Sequence, residues 1–318
     1  MVVLSVVVPA TDAPPTLARC LAAVANADAA AAGHVAGWTS VEVVVVEDAG
    51  LSAAAARNVG LERARGEVVV FVDADVEVHT DALTRIHAAF ARRPELTALF
   101  GGYDDAPAVR TTVSMFRNLL HHHVHRAGSG PAETFWTGLG AVRRQAALAI
   151  GGFDADRYPH PSIEDVEFGV RLAATGAVIE LDPQVQGTHL KRWTLRSMVW
   201  TDLARRGVPW TALLLRQRRL PAALNLGWRH RVSAAACAAG VVGSLRRRPA
   251  VLAGTMMTLV ALNRDLYRLL ARRTGAFGAV AGVGLHALHH LVALAAVPVG
   301  ALAHLREGRR HRREHAGG

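Results

Sequence analysis

The sequence is poor in cysteine and lysine and has no leader-like segment. Its two cysteines, Cys20 and Cys237, lie far apart in the chain, which excludes a disulfide framework. Lys191 is the only lysine, and every other basic side chain among the 36 Lys and Arg residues is an arginine. The first apolar run has no basic segment before it, unlike a signal peptide. We therefore expect the N-terminal part of the chain to lie in the cytoplasm.

Acidic residues are almost absent from the second part of the chain. Residues 1–190 contain 22 acidic residues and 14 arginines, whereas residues 191–318 contain 4 acidic and 22 basic residues. The cations of the second part flank apolar runs, which favours a membrane as partner and no nucleic acid.

Three apolar runs lie in this second part, at residues 232–245, 250–262 and 276–303. The last run has 28 residues and no charged side chain apart from protonatable histidines. About 20 apolar residues suffice to span a bilayer, so we predict a transmembrane helix there, with its histidines facing protein or headgroups. A buried helix of a soluble domain is the alternative. The two shorter runs fit a tight hairpin, a re-entrant pair or interfacial helices equally.

Two carboxylates follow a buried strand near the middle of the first part. The run Val68–Val72 is entirely apolar, which is typical of a strand covered on both faces, and Asp73 and Asp75 come directly after it. Alternate residues of a strand point the same way, so both carboxylates can reach one hard cation that bridges a diphosphate. The alternative is a solvated turn with a helix cap.

Strands alternate with helical segments around this motif. Residues 2–8 and 41–46 are further apolar strands, the second ending at Glu47 and Asp48, and helical segments begin at Thr16 and Ser52. This alternation predicts a parallel sheet with helices on both faces, and ligands collect at the carboxyl ends of such strands.

The ordered motifs resemble those of family 2 glycosyltransferases with the GT-A fold, over roughly residues 2–200. The motifs are Val6–Pro9, Glu47-Asp48, Ala56–Gly60, Gly66-Glu67, Phe71–Asp75, Trp136–Gly138, Arg143-Arg144, Gly151–Asp154, Glu164-Asp165, Gly169–Leu172 and Gly176. The resemblance implies an α/β fold, a GT-A-like nucleotide-binding sheet with helices on both faces, followed by C-terminal apolar helices. It gives four parts: a catalytic domain (1–200), a basic interfacial helical linker (201–231), transmembrane or interfacial helices (232–305) and a basic tail (306–318).

The resemblance also implies a donor site for a nucleotide-diphosphate sugar. Asp48 would bind the base or ribose and Asp73 the ribose, while Asp75 would bind Mg²⁺ or Mn²⁺ on the diphosphate, with His189 as an additional ligand. The full set of donor-binding predictions is Pro9, Asp48, Arg57, Asp73, Lys191 and Arg192. Only eight residues separate Asp48 from Arg57, fewer than is usual in the family, so the base pocket is expected to be reshaped.

Asp165 matches the base of the family's Glu-Asp motif. An adjacent carboxylate such as Glu164 raises proton affinity, which suits a group that takes a proton from an acceptor hydroxyl, so both residues are predicted to be catalytic. The other interpretation is that they are first-turn acids stabilised by the dipole of a helix over 166–174, and both interpretations can hold together. The acceptor-binding prediction comprises Trp136, Thr137, Gly138 and Trp193.

The segment His189–Trp193 is similar to the Gln-x-x-Arg-Trp motif of processive relatives, but the Gln is replaced. This replacement favours transfer of a single sugar. Lys191 and Arg192 would neutralise the leaving diphosphate, or else begin a basic surface that faces anionic lipid. A further histidine cluster, 121–125, is interpreted as an interfacial segment near the acceptor entrance, with a second metal site at His121 and His125 as the alternative.

Together these features predict a membrane-attached, metal-dependent glycosyltransferase of the hexosyl type, at the cell membrane with a cytoplasmic catalytic domain. Its acceptor would be lipid-linked or membrane-proximal. Two alternatives are a nucleotidyltransferase on a similar scaffold and a non-catalytic membrane scaffold that keeps the fold.

Overall fold

The computed structural model describes residues 2–217 and 227–316, with side chains up to residue 307. The chain divides into two compact units, of which the first comprises Met1–Val109 and Leu120–Lys191, and the second Arg110–Leu119 and Arg192–Gly318. Residues 218–226 of the predicted interfacial linker and residues 317–318 of the predicted tail lie outside the described residues.

The first unit is built on an eight-stranded sheet. Its strands are β1 (Leu4–Pro9), β2 (Glu42–Val46), β3 (Val68–Val72), β4 (Val76–Val78), β5 (Leu96–Tyr103), β6 (Gly130–Pro131), β7 (Leu139–Arg143) and β8 (Val178–His189). The order along the sheet is β2-β1-β3-β7-β5-β8-β4, and β6 pairs with β8. The α/β class predicted from the sequence is confirmed.

The sheet is mixed, so the prediction of a parallel sheet is wrong for part of it. Strands β1, β2 and β3 are parallel, but β7 runs antiparallel to both β3 and β5, and β4 runs antiparallel to β8. The β-α alternation that predicted parallel strands covers only the first three. The carboxyl ends of β2, β1 and β3 therefore meet at one edge, as expected.

Six helices accompany this sheet: α1 (Leu17–His34), α2 (Ala53–Arg63), α3 (Ala82–Arg92), α4 (Thr112–Ala127), α5 (Arg144–Ala149) and α6 (Glu164–Ala174). Helix α1 begins one residue after the predicted start at Thr16 and extends through an alanine-rich segment to His34, since alanine has high helix propensity. Ser52 caps α2, and its Oγ accepts a hydrogen bond from the Ala55 N–H at 3.2 Å. The unit boundary falls inside α4.

The core of the first unit consists of aliphatic side chains from the strands and from α1 and α3. All five residues of β3 are fully buried, which confirms the prediction of a strand covered on both faces. Helix α2 packs closely on β1 at Gly60, where a Cβ atom would lie 2.2 Å from Cγ1 of Val7. The glycine thereby fixes the height of α2 above the sheet.

The described part of the second unit is helical. It contains α7 (Leu195–Trp200), a π-helix (Thr201–Gly207), α8 (Val208–Gln217), α9 (Trp228–Leu245), α10 (Pro249–Leu262) and α11 (Arg264–Ala316). Helix α11 is interrupted at Gly275, whose φ of 73° is favourable only for glycine. The three predicted apolar runs coincide with α9, α10 and the part of α11 after this break.

Candidate active site

Three strand ends place predicted donor residues along one edge of the sheet. Pro9 ends β1, Asp48 follows β2, and Asp73 follows β3, and these strands are neighbours in the order β2-β1-β3. Asp48 is exposed, and its Oδ1 accepts a hydrogen bond from the Gly50 N–H at 2.9 Å, which closes the turn. Pro9 is buried and pairs with Val46. Asp48 is thus the most exposed member of this group.

Arg57 joins two of the predicted acidic residues. Its Nη2 donates to Oδ1 of Asp73 at 2.8 Å and its Nη1 donates to Oε1 of Glu164 at 2.7 Å. The guanidinium is almost completely buried, and the neighbouring carboxylates raise the pKa of Arg57 against the opposing effect of burial. Breaking a buried pair of this kind is costly, since it leaves an uncompensated charge. Arg57 therefore holds the end of β3 against the start of α6.

The residue after Arg57 makes a second link from α2. The Asn58 side-chain amide donates to the Phe153 carbonyl at 2.8 Å and its Oδ1 accepts from the Phe153 N–H at 2.8 Å. Gly152 has a φ of 67°, and a Cβ there would lie 2.4 Å from Asn58 Oδ1. Through these contacts the Arg-Asn motif of α2 holds the loop that contains the Gly-Gly-Phe motif.

The loop Trp136–Gly138 lies between the two groups of carboxylates. The Thr137 N–H donates to Oδ2 of Asp165 at 3.3 Å, and the Gly138 carbonyl accepts from the Asp73 N–H at 3.2 Å. Gly138 has no room for a side chain, because a Cβ would lie 2.1 Å from Cζ2 of Trp136. The structure therefore brings the predicted donor, acceptor and catalytic segments together.

Glu164 and Asp165 begin α6, but their environments differ. Glu164 is buried, and both of its oxygens accept hydrogen bonds, from Arg57 and from the Ser162 N–H at 2.7 Å. Asp165 is half-buried, and its Oδ1 accepts from its neighbour's N–H, that of Val166, at 2.8 Å. The alternative interpretation as first-turn acids thus holds for their position on the helix. Of the two, Asp165 is the carboxylate that is more exposed to solvent.

Asp75 and His189 form the candidate metal site. Val76 pairs with His189 across β4 and β8, and Oδ2 of Asp75 lies 3.6 Å from Nε2 of His189. Burial disfavours the charged carboxylate, but His189 and the charge of Lys191 outweigh it and lower the pKa of Asp75. The Leu190 N–H donates to the Asp75 carbonyl at 2.8 Å. Asp75 is thus ionised at neutral pH and fixed in place by β8.

The ring that stacks on His189, that of Tyr103, was not identified from the sequence. Tyr103 stacks on His189 with centroids 4.1 Å apart and an interplanar angle of 11°. Tyr103 also packs against Trp136 and His121. The ring centres of His121 and His125 are 3.9 Å apart. Tyr103 is the last residue of β5, and Asp104 follows it. Asp73 was identified as an acidic residue directly after a buried strand, and the same criterion would also have identified this strand end.

The histidines of α4 belong to no larger candidate metal cluster in the described part of the chain. His125 is buried and its Nδ1 lies 2.8 Å from the Gly101 carbonyl, while Nδ1 of His122 lies 2.7 Å from the Tyr103 carbonyl. Among the residues that the structure describes, no group of three or more His, Cys, Asp or Glu side chains is arranged to hold a metal. These two histidines are therefore packing residues, and the interpretation of the cluster as an interfacial segment is wrong for them.

Arg192 and Trp193, the remaining predicted site residues, belong to the second unit. Arg192 is exposed. Trp193 is buried: its N–H donates to Oγ of Ser114 at 2.9 Å, and the Arg117 guanidinium carbon lies 5.4 Å from the centre of its ring. Their donor and acceptor roles stay predictions.

Residues 50–151 match the family model described as Glycosyl transferase family 2. The matched segment contains Arg57, Asp73, Asp75 and the loop Trp136–Gly138, so the family predicted from the motifs is confirmed over this segment. No curated protein matches the chain in sequence. The family match favours a glycosyltransferase over the nucleotidyltransferase and scaffold alternatives.

Two solved structures are similar to this chain to different degrees. The mannosyltransferase PcManGT from Pyrobaculum calidifontis, in complex with GDP-Man and Mn²⁺, is 19% identical with a TM-score of 0.53, over 95% of this chain and 86% of that chain. Residues 1–349 of TarS from S. aureus are 14% identical with a TM-score of 0.42, over 92% of this chain and 90% of that one. The first likeness confirms the fold class.

Proposed function

We propose that this family 2 glycosyltransferase moves a single hexosyl residue from a nucleotide-diphosphate sugar to a lipid-linked or membrane-proximal acceptor. The donor would lie along the edge formed by Pro9, Asp48 and Asp73, and Asp165 would act as the base. The observation that carries this proposal is the pair of hydrogen bonds that Arg57 donates to Asp73 and Glu164, which connects the end of β3 to α6. The same two segments also meet through the loop Trp136–Gly138.

The candidate metal site fits a cation that a donor helps to bind. Mg²⁺ typically uses one or two carboxylates together with substrate phosphates and water, and imidazole is a good ligand for transition-type ions such as Mn²⁺. Asp75 and His189 supply one carboxylate and one imidazole. When bound, the cation would neutralise charge that develops on the diphosphate. The PcManGT complex with Mn²⁺ supports a divalent cation here.

Asp165 and Glu164 have different roles in this proposal. The acceptor oxygen attacks the anomeric carbon, its proton passes to the Asp165 carboxylate, and the bond from the anomeric carbon to the diphosphate oxygen breaks with its electron pair on that oxygen. Glu164 is buried and both of its oxygens accept hydrogen bonds within the protein, so in this proposal it does not take the proton itself. It instead positions the turn that presents Asp165.

Exposed apolar surface in the second unit supports attachment to a membrane. Residues Arg264–Glu307 form the one helix, among the described residues, that is long and apolar enough to cross a bilayer, and only 33% of its most apolar window is buried. Phe277 is 84% exposed and Val280 73% exposed. By contrast, His286, His289 and His290 are buried against protein, as expected for histidines at membrane depth. A lipid surface would cover the apolar side chains.

The donor proposal is tested by thermal unfolding of the purified full-length protein with sugar nucleotides and Mn²⁺ or Mg²⁺. A donor at 100 times its Kd stabilises the folded state by about 2.7 kcal/mol, so we expect the midpoint to rise by about 4 °C, and only with a cation present. Stabilisation by nucleoside triphosphates alone would indicate a nucleotidyltransferase. No response to any nucleotide would contradict the proposal.

The membrane proposal predicts how the full-length protein is extracted. It should stay in the membrane pellet in 1 M salt, where the Debye length is about 3 Å and contacts of arginine with anionic lipid are screened. Detergent should release it, since the apolar helix is held by hydrophobic burial. Recovery in the soluble fraction without detergent would mean that the apolar helices are buried inside a soluble domain.

A further inference from the structure

The second unit contains a partly open cavity of about 330 Å³ lined by two kinds of side chain, which we call its polar end and its apolar end. One end is polar and is lined by Arg117, Asp202, Arg206, His230, Arg231 and His289. The other end is apolar and includes Trp210, Leu214, Ala293, Leu294 and Val297. The volume lies at the lower end of the range for small-molecule sites.

The polar end carries an excess of positive charge around one ion-paired carboxylate. Oδ1 of Asp202 lies 2.7 Å from Nη2 of Arg117, and Oδ2 accepts a hydrogen bond from Nδ1 of His289 at 2.8 Å. Asp202 is only 4% exposed, but Arg117 and His289 overcome the effect of burial and lower the pKa of Asp202 to about 2. It is therefore ionised, and three guanidinium groups share the cavity with this single carboxylate.

The backbone that supplies part of this lining is unusual. Asp202 and Arg206 belong to the π-helix Thr201–Gly207, a conformation that is rare and occurs frequently at functional sites. Next to the cavity the helices approach as closely as glycine allows: a Cβ at Gly207 would lie 2.5 Å from that of Ala296, and one at Gly300 would lie 2.5 Å from that of Thr211. The cavity therefore lies beside tightly packed helix contacts.

We propose that this cavity binds a single-chain lipid phosphate. Guanidinium groups match phosphate geometry with paired hydrogen bonds, and Arg206 and Arg231 would hold the head together with Arg117. The first part of the hydrocarbon chain would lie against Trp210, Leu214 and the α11 side chains. This assignment rests on the proposed function, in which a lipid-linked molecule is the acceptor.

The test uses full-length protein in detergent micelles and a dodecyl phosphate that carries a photoreactive diazirine in its chain. After irradiation, labelled peptides are identified by mass spectrometry. We expect labelling in α8 and α11, removed by excess dodecyl phosphate but not by dodecanol or by inorganic phosphate. Equal competition by dodecanol would show a site for the chain alone, and competition by inorganic phosphate would show a site for a free anion. Either result would overturn the assignment.

Two pairs of variants separate the two ends of the cavity. Arg206→Gln removes one head contact and Ala293→Leu fills the apolar end, and each should lower labelling about tenfold. Their matched controls are Arg205→Gln and Ala295→Leu, at neighbouring residues outside the set that lines the cavity, and both should label like the wild type. Unchanged labelling in Arg206→Gln and Ala293→Leu would overturn the assignment.

The same variants distinguish failure of the site from failure of the proposed function. If the cavity is labelled as expected but the enzyme transfers sugar to no lipid phosphate, the cavity assignment stands and the proposed acceptor is wrong. If sugar is transferred to a lipid phosphate at an unchanged KM in both variants, the acceptor is correct and the cavity is not its site.

Discussion

Replacement of Asp75 by alanine is expected to weaken cation-dependent binding of the donor by about 100-fold or more. Loss of groups that merely support a metal ligand costs about 10- to 100-fold in affinity, and Asp75 is proposed as a ligand itself. His189 alone would leave the cation with one protein contact and without a carboxylate to balance its charge. Titration calorimetry with the sugar nucleotide, at saturating Mn²⁺ and without it, measures the loss.

The control for this experiment is Asp81→Ala, which removes an exposed carboxylate that pairs with Arg85 on α3. It should bind donor and Mn²⁺ like the wild type. Asp75→Ala should remain folded, with an unfolding midpoint without ligands close to that of the control. Undiminished Mn²⁺-dependent binding in a folded Asp75→Ala protein would show that the metal lies elsewhere.

Replacement of Asp165 by asparagine should lower kcat about 10²- to 10⁴-fold while donor affinity changes little. General base catalysis contributes in this range, and the amide keeps the shape of the side chain but cannot take the proton. One amide oxygen can still accept the hydrogen bond from the Thr137 N–H, so the loop Trp136–Gly138 should keep its place. Steady-state transfer assays measure kcat, and titration calorimetry measures the affinity for the donor.

Asp81→Asn provides the matched control, with the same chemical change at an exposed site. A transfer rate near that of the wild type in Asp165→Asn would place the base at another residue. A parallel loss of donor binding would instead mean that Asp165 belongs to the donor site.

The donor residues at one edge of the sheet could be predicted because short sequence patterns determine their positions. A run of five apolar residues identifies β3, and the period of a strand then places Asp73 and Asp75 on the same side. The three parallel strands follow from their alternation with helices. Pro9, Asp48 and Asp73 could therefore be assigned to one edge before any coordinates were known.

Contacts between distant residues could not be predicted in this way. Arg57 and Glu164 are 107 positions apart, and nothing in the motif around Arg57 identifies its partner. The direction of β7 depends on the path of the chain between β5 and β7, which no short pattern encodes. Similarly, the stacking of Tyr103 on His189 joins β5 to β8, and only the parallel pairing of these strands brings the rings together.

Lys191 makes the first unit suitable for selective isotope labelling. Its ε-amine is the only one in the chain, so reductive methylation with ¹³C-formaldehyde would introduce NMR signals at this side chain and at the amino terminus alone. Methylation keeps the positive charge, so the electrostatic influence of Lys191 on Asp75 would be retained. Because Lys191 is exposed directly after β8, its methyl resonance would report on ions and phosphates at this edge of the sheet without any engineered substitution.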